Sequence, residues 1–310
     1  MTRCLCMRII FFGSTDFALP VLKSIHGKFD IHGVVTSKPR PKGRGLKTAL
    51  AEIAVWAKDA GLEVFMPNDP NSDEFVSTLS ALLPDLYVLS AYGHILSKKL
   101  LDVARLGGIN VHPSLLPRYR GAAPIQRAIM AGEEKTGVTL FFMDEKIDHG
   151  DMIEQRWIPI EKDDTYGSLS SKLAGLGAEM IVDVLRAVES GNYRTVKQKG
   201  EVSSAPKLKK EELVVNWYEK AMTIYNHIRA LSPKPGAKTF FRNKELIITL
   251  VQLGDKKLSP GRLCVENRKL YVGAGDGSLV MLEVKPEGRK AISALDFING
   301  YRIQEGEVVG

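Results

Sequence analysis

Cysteine is scarce. Cys4, Cys6 and Cys264 are the three in the chain, too few for a disulfide framework or a full set of thiolate ligands to zinc. No uncharged apolar run approaches the ~20 residues needed to cross a bilayer. The apolar start Ile9–Phe12 soon meets Asp16 and reads as a strand, not a signal peptide. Neither G-x-G-x-x-G nor G-x-x-x-x-G-K-[ST] occurs after the first strand, where Gly13 stands alone until Gly27. Without those glycines the chain has neither the tight turn nor the close backbone approach that a dinucleotide pyrophosphate requires. H-E-x-x-H spacing and a G-x-S-x-G elbow are also missing, and there is no internal repeat. These absences exclude a secreted disulfide scaffold, a membrane span and a nicotinamide enzyme, and they point to a reduced, cytoplasmic compartment.

What remains is ordinary globular material: 44% hydrophobic and 25% charged residues over 310 positions, the length of two domains. The net charge of +7 is unevenly placed. The stretch Lys38–Lys47 carries five cations and no acid, and the chain from Pro206 onward has 18 Lys/Arg against 12 Asp/Glu. The segment between them is mildly acidic. A basic loop and a basic C-terminal third suit a polyanionic partner such as nucleic acid.

Through the first two hundred residues, short apolar runs alternate with amphipathic stretches, the mark of an α/β parallel sheet. Strands are expected at Arg8–Gly13, Ile31–Thr36, Leu62–Met66, Asp85–Ser90, Ile109–His112 and Gly137–Phe142. Helical spacing covers Asp16–Ile25, Thr48–Ala60, Ser72–Leu83 and Ala122–Ala131. Across Thr165–Ser190, Leu169, Leu173, Leu176, Met180, Val184 and Val188 recur at three- and four-residue steps, one buried stripe of a long helix. Gly191–Pro206 is polar and rich in Gly and Ser, which reads as a linker. Beyond it come a helix near Glu219–Leu231 and five short strands, with Asp276-Gly277 as a hairpin turn. The expected architecture is therefore a Rossmann-like parallel sheet domain over residues 1–190, a linker over 191–206, and a small C-terminal OB-like β-barrel over 207–310.

Parallel sheets place their ligands beyond the carboxyl ends of the strands. There, Asn110 and His112 stand two apart, a spacing that points both side chains to one face of a strand. An amide donor and an imidazole that converge in this way suit an oxyanion beside an acid or base. The loop after Phe142 offers Asp144, Glu145, Asp148, His149 and Asp151. Any of the carboxylates could orient and charge His112. A metal site and a merely structural role for Asn110 and His112 stay open on spacing alone.

The run Asn110-Val-His-Pro-Ser-Leu-Leu-Pro-Arg-Tyr-Arg-Gly-Ala-Ala-Pro-Ile125 closely resembles the signature of the folate-dependent formyltransferases. So does Met143-Asp-Glu-Lys-Ile-Asp-His-Gly-Asp-Met152. Arg8–Gly13, Arg40–Gly45, Ala91-Tyr-Gly93 with Ile95-Leu96, Ala205–Leu208 and Ile228–Ala237 extend the resemblance from about Met7 to Gly300. It implies transfer of the formyl group of 10-formyltetrahydrofolate to the α-amino group of methionyl initiator tRNA, with no metal, no membrane and no obligate protein partner. By the same resemblance Asn110, His112 and Asp148 form the catalytic set. Folate lies against Ser114, Leu115, Leu116, Pro117, Tyr92, Gly93, Ile95 and Leu96. Lys42, Arg44 and Lys47 enter the tRNA acceptor stem, and the basic barrel positions the tRNA arm. A relative acting on a small amine, a nucleotide or an amino sugar, shares the catalytic set. It leaves the basic loop and barrel unexplained. His149 stands where the family more often has threonine, Pro113 where a small residue is commoner, and Lys234 where tryptophan is frequent. Met7 matches the expected start, which makes Met1–Cys6 an extension without a structural role.

Overall fold

The computed structural model describes residues 7–42 and 47–310, those at 40–42 and 47–49 by their strand pairing alone. Cys4, Cys6 and Arg44 therefore lie outside the described residues. In chain order the first part gives β1 (Arg8–Gly13), α1 (Ala18–Ile25), β2 (Asp30–Val35), β3 (Arg40–Lys42), β4 (Lys47–Ala49), α2 (Glu52–Asp59), β5 (Val64–Phe65), α3 (Asp73–Ala81), β6 (Leu86–Ser90), α4 (Lys98–Leu101), β7 (Gly108–His112), α5 (Pro124–Met130), β8 (Lys135–Phe142), β9 (Met152–Pro159) and α6 (Tyr166–Glu189).

Seven of these strands form one sheet in the order β5-β2-β1-β6-β7-β8-β9. β1 is parallel to both β2 and β6, β6 is parallel to β7, and β8 runs antiparallel to β7. From β1 the chain winds to β2 and β5, then returns to the other side through β6 and β7. The strand order thus reverses at β1/β6, the point where open α/β sheets bind ligands beyond their carboxyl ends. Ile10, Phe12, Val35, Tyr87 and Leu89 share one face and are buried with Phe75, Val76 and Leu79 of α3. The alternation of strand side chains dictates this set. α6 packs on the sheet through Gly177, where an added Cβ would sit 2.7 Å from Val111 Cγ1. Of its expected stripe, Leu169, Leu173, Met180, Val184 and Val188 are buried and Leu176 half-buried.

Two stretches differ from the sequence expectation. Helical spacing over Thr48–Ala60 yields a helix only over Glu52–Asp59. Thr48 and Ala49 instead pair with Pro41 and Arg40 in the β3–β4 hairpin. β9 went unexpected because Gln155, Arg156 and Trp157 are all exposed on this edge strand, so its apolar residues do not alternate.

By contacts the chain divides into two compact units. Residues 1–122, 136–158 and 170–205 form the first, and residues 123–135, 159–169 and 206–310 the second. α5 and the turn before α6 thus pack with the C-terminal part. Arg229 is buried and donates through Nη1 to the carbonyls of Glu161 (3.3 Å) and Asp164 (3.0 Å). Arg127 binds the carboxylate of Glu212 at 2.6 and 3.1 Å.

The second unit continues with α7 (Ala221–Leu231), β10 (Ala237–Phe241), β11 (Lys244–Gly254), β12 (Leu263–Glu266), β13 (Lys269–Gly273), β14 (Ser278–Pro286), β15 (Ile292–Ser293) and α8 (Ala294–Tyr301). The antiparallel order is β10-β11-β14-β13-β12, with β15 on β14. Val309 bridges to Phe241 and Val308 to Arg262, so the C-terminal residues link the β10 edge to the start of the β12 edge. That arrangement satisfies strand edges that would otherwise be open. Inside lie Ile224, Ile228 and Leu231 of α7 against Ile248, Leu270 and Phe297. β13 and β14 are joined by the four residues Ala274–Gly277, a longer connection than the two-residue turn expected at Asp276-Gly277. The Asp276 carboxylate instead accepts the Ala221 N–H at 2.7 Å and caps α7.

Candidate active site

β7 ends at His112, and the two-residue spacing from Asn110 sets both side chains toward one point. That point is the carboxylate of Asp148. Asn110 Nδ2 donates to Asp148 Oδ1 at 3.3 Å, and His112 Nδ1 stands 3.5 Å from Oδ2. The Gly121 N–H donates to the same Oδ2 at 2.8 Å. The far ring nitrogen, His112 Nε2, lies 3.0 Å from the Tyr119 carbonyl oxygen. A carbonyl only accepts, so Nε2 carries a hydrogen, and the imidazole presents Nδ1 to the carboxylate. His112 is buried at 4% exposure and Asn110 is half-buried, so Asp148 meets its partners with little competing water.

The backbone holds Asp148 in an uncommon conformation, with φ of 48°. Gln198 secures it: its Nε2 donates to the carbonyls of Asp148 and Gly150, both at 3.0 Å. Gln198 Oε1 in turn accepts from Arg120 Nη2 at 2.6 Å and Nε at 3.2 Å. Gly150 has no room for a side chain, because a Cβ there would collide with the Phe142 carbonyl oxygen. Between Asp144 and His149 the loop is bracketed by a 2.6 Å contact of His149 Nδ1 with Asp144 Oδ2. Of the five candidate side chains in this loop, Asp148 alone reaches His112 among the described contacts.

The residues expected to hold folate fall into two groups. Ser114, Leu116 and Pro117 are buried and Leu115 half-buried in the loop after β7. Their polar groups are already committed. Ser114 Oγ donates to the Arg118 carbonyl at 2.7 Å, Thr139 Oγ1 to the Ser114 carbonyl at 2.7 Å, and the Leu116 N–H to Thr139 Oγ1 at 3.2 Å. Gln155 Nε2 binds both Thr139 Oγ1 (2.8 Å) and the Leu116 carbonyl (3.0 Å). Tyr92, Gly93, Ile95 and Leu96 follow β6, the neighbour of β7. Tyr92 and Leu96 are buried, and Gly93 and Ile95 exposed. Burial, with the Asp69 carboxylate adding to it, pushes the Tyr92 hydroxyl up to about 12, so it stays neutral. Asn71 ties down this stretch, donating to the Ile95 carbonyl at 3.0 Å and accepting the Ser97 N–H at 2.7 Å.

A cavity of about 520 Å³ lies at the amino end of β7, lined by Lys98, Leu101, Arg105, Gly107, Met143 and Glu145 among others. None of the eight residues expected at the folate site lines it. Among the described residues no group of three or more His, Cys, Asp or Glu side chains is placed to hold a metal ion. Nor is any helix there long and apolar enough to cross a membrane. Lys42 and Lys47 face each other at the last pair of the β3–β4 hairpin, flanking the segment that holds Arg44.

Sequence reasoning missed Gly121, Tyr119 and Gln198. The first two act through backbone groups that no residue type announces. Gln198 sits in the stretch whose composition reads as a linker. Residues 196–205 are instead stitched to the first unit, by the Met152–Val196 and Arg120–Ser204 bridges and by an Ala205 N–H bond to the Arg120 carbonyl at 2.6 Å.

Comparison with known proteins gives the family of the chain. The profile of "Formyl transferase" matches residues 7–185, and that of "Formyl transferase, C-terminal domain" matches residues 207–302. Methionyl-tRNA formyltransferase of Dictyoglomus turgidum is 41% identical over 97% of this chain and 98% of its own. The enzyme of the same name from Koribacter versatilis is 42% identical over 98% and 99%. Among solved structures, HypX from Aquifex aeolicus in complex with tetrahydrofolic acid aligns with a TM-score of 0.66 at 19% identity over 97% of this chain. This chain spans about half of HypX, 48% of its length. The sugar 3N-formyl transferase WlaRD gives a TM-score of 0.66 at 20% identity, covering 92% of this chain and 99% of that one. The last two show the shared fold. The chain belongs to the formyl transferase family, among the methionyl-tRNA formyltransferases.

Proposed function

We propose that the protein transfers the formyl group of 10-formyltetrahydrofolate to the α-amino group of methionyl initiator tRNA, giving N-formylmethionyl-tRNA for translation initiation in the cytoplasm. The observation that carries this reading is the convergence of Asn110, His112 and Gly121 on Asp148, in a chain 97% of which is matched by a methionyl-tRNA formyltransferase.

In this reading the methionyl amine attacks the formyl carbon, the carbonyl π pair moves to oxygen, and the bond to folate N10 breaks as the tetrahedral intermediate collapses. Asn110 has two N–H groups. One is spent on Asp148, and the other donates to the oxygen as it becomes negative. The Tyr119 carbonyl fixes Nε2–H of His112, which leaves Nδ1 as the nitrogen that exchanges its 3.5 Å contact with Asp148 for the reacting groups. His112 and Asp148 together take the proton from the attacking amine and return it to N10 as that nitrogen departs. Preorganised donors of this kind contribute several kcal/mol to such a transition state.

Folate packs against the surface of the Ser114–Pro117 loop, whose polar groups are spent on holding the loop itself, and against the Tyr92–Leu96 segment with its exposed Ile95 side chain. Lys42, Arg44 and Lys47 contact acceptor-stem phosphates. The basic C-terminal unit (residues 207–310 in the sequence division) holds the tRNA arm. Such phosphate contacts make affinity fall with salt, with a slope near −0.9 per neutralised phosphate of a duplex.

The test is to incubate the purified protein with 10-formyltetrahydrofolate and, in parallel, methionyl initiator tRNA, uncharged tRNA, and amino-sugar nucleotides. Formylation confined to the charged tRNA supports the proposal. Formylation of an amino sugar with none of the tRNA overturns the acceptor while keeping the chemistry.

A further inference from the structure

Ser203 takes two N–H groups from the segment beside the active site. Its Oγ accepts the Tyr119 N–H at 2.9 Å, and its carbonyl accepts the Arg120 N–H at 2.9 Å. Two residues on, the Ala205 N–H donates to the Arg120 carbonyl at 2.6 Å. Arg120 and Ser204 thus form a parallel bridge, with both backbone groups of Arg120 spent on residues 203–205. The two segments lie close, since a Cβ on Gly121 would stand 2.6 Å from the Ala205 carbonyl oxygen.

Peptide planarity carries these bonds through to the catalytic pair. The Tyr119–Arg120 and Arg120–Gly121 peptides are trans, so in each the C=O and the N–H point in opposite directions. In the first, the Arg120 N–H faces Ser203. The Tyr119 carbonyl therefore faces the other way, onto His112 Nε2 at 3.0 Å. In the second, the Arg120 carbonyl faces Ala205, and the Gly121 N–H is turned onto Asp148 Oδ2 at 2.8 Å. Each plane is a rigid bar with one end on residues 203–205 and the other on a group of the site. Tyr119 needs support to hold its bar in place, because its φ of 61° is left-handed, a conformation that costs energy for a residue with a side chain. The bond of its N–H to Ser203 Oγ supplies that support.

We infer that Ser203 is a positioning residue for formyl transfer. It sets the register of residues 119–121, and so fixes the hydrogen on His112 Nε2 through Tyr119 and the orientation of Asp148 through Gly121. This rests on the roles proposed above for His112 and Asp148.

The test compares Ser203→Thr with Ser203→Val in the full chain, two side chains of similar shape of which only the first has a hydroxyl. In steady-state formylation of methionyl initiator tRNA, Ser203→Val lowers kcat about 5- to 30-fold, the cost of a shielded N–H left without its acceptor. KM for each substrate stays within about twofold of the parent. Ser203→Ala, which adds no bulk, behaves as Ser203→Val, and Ser203→Thr keeps the kcat of the parent within about twofold. The NMR signal of the His112 Nε2–H, identified by its absence from His112→Ala, reports the bond to Tyr119 directly. Its exchange with water is several-fold faster in Ser203→Val and Ser203→Ala, and as slow as in the parent in Ser203→Thr. Values of kcat within about twofold of the parent in both hydroxyl-free variants overturn the inference. So does an equal loss in Ser203→Thr and Ser203→Val, or a loss of kcat with the Nε2–H exchange unchanged. A parent enzyme that formylates no tRNA overturns the proposed function instead, and the exchange measurement still decides whether Ser203 positions His112.

Discussion

His112 and Asp148 meet at 3.5 Å between Nδ1 and Oδ2, and that carboxylate oxygen also takes the Gly121 N–H at 2.8 Å. The shorter bond orients the carboxylate, and the longer contact is the one free to open. Asp148 thereby acts as the hub of the site, with Asn110 on its other oxygen.

The first prediction follows from that hub. Asp148→Asn keeps the shape and still accepts from Gly121, but it removes the charge facing His112. Formylation of methionyl initiator tRNA should fall about 10²- to 10⁴-fold in kcat, with the melting temperature within a few degrees of the parent. A kcat within threefold of the parent would show that the charge is not used.

Gln198 supports the hub from behind. Gln198→Ala frees the carbonyls of Asp148 and Gly150 and leaves Arg120 without its side-chain partner. Four hydrogen bonds are lost in all, and full expression in the transition state of the two that hold the Asp148 loop, at ~1 kcal/mol each, lowers kcat/KM about 30-fold. The loss should appear mainly in kcat, because no substrate contact is removed. Steady-state kinetics with each substrate varied separately checks the split.

Gly150 is a steric necessity. A methyl group there would collide with the Phe142 carbonyl, so Gly150→Ala forces the backbone next to Asp148 to move. This variant should lose both activity and stability, the latter by more than ~2 kcal/mol in urea unfolding. Unchanged stability would mean that the loop absorbs the methyl group without displacing Asp148.

Acid pH addresses the second unit. The hydrogen bonds from Arg127, followed by one from the Lys209 N–H, lower the Glu212 carboxyl from 4.5 to about 2. A carboxylate depressed on folding stabilises the fold above its unfolded pKa, and that contribution is lost as pH falls through its folded value. Stability from this pair is therefore complete above pH 4.5 and disappears between 4.5 and about 2. Glu212 is partly exposed, so solvent screening keeps the effect small. Melting temperature should fall less across that window in Arg127→Ala than in the parent, and equal slopes would count against the pair.

Much of this was legible in the residues. The alternation of buried strands and amphipathic helices gave the sheet, and the Asn110–His112 spacing gave a shared face, because side-chain direction in a strand follows from its period. Which carboxylate completes the set was not legible without the resemblance. Asp144, Glu145, Asp148 and Asp151 are chemically alike, and the contacts of the folded loop alone show that Asp148 is the one that reaches Asn110 and His112. The packing of α5 with the C-terminal unit was hidden too, since it depends on long-range contacts such as Arg127–Glu212. α8 did leave a signal that went unread. Ser293 followed by Asp296 is a capping pair, and Ser293 Oγ accepts the Asp296 N–H at 3.1 Å.

The most direct test of the account is to follow formylation of methionyl initiator tRNA from 10-formyltetrahydrofolate by the parent and by His112→Ala in single turnover, with both substrates saturating. The account predicts N-formylmethionyl-tRNA from the parent and a chemical step about 10²- to 10⁴-fold slower in the variant. No product from the parent, or a variant within a few-fold of it, would contradict the account.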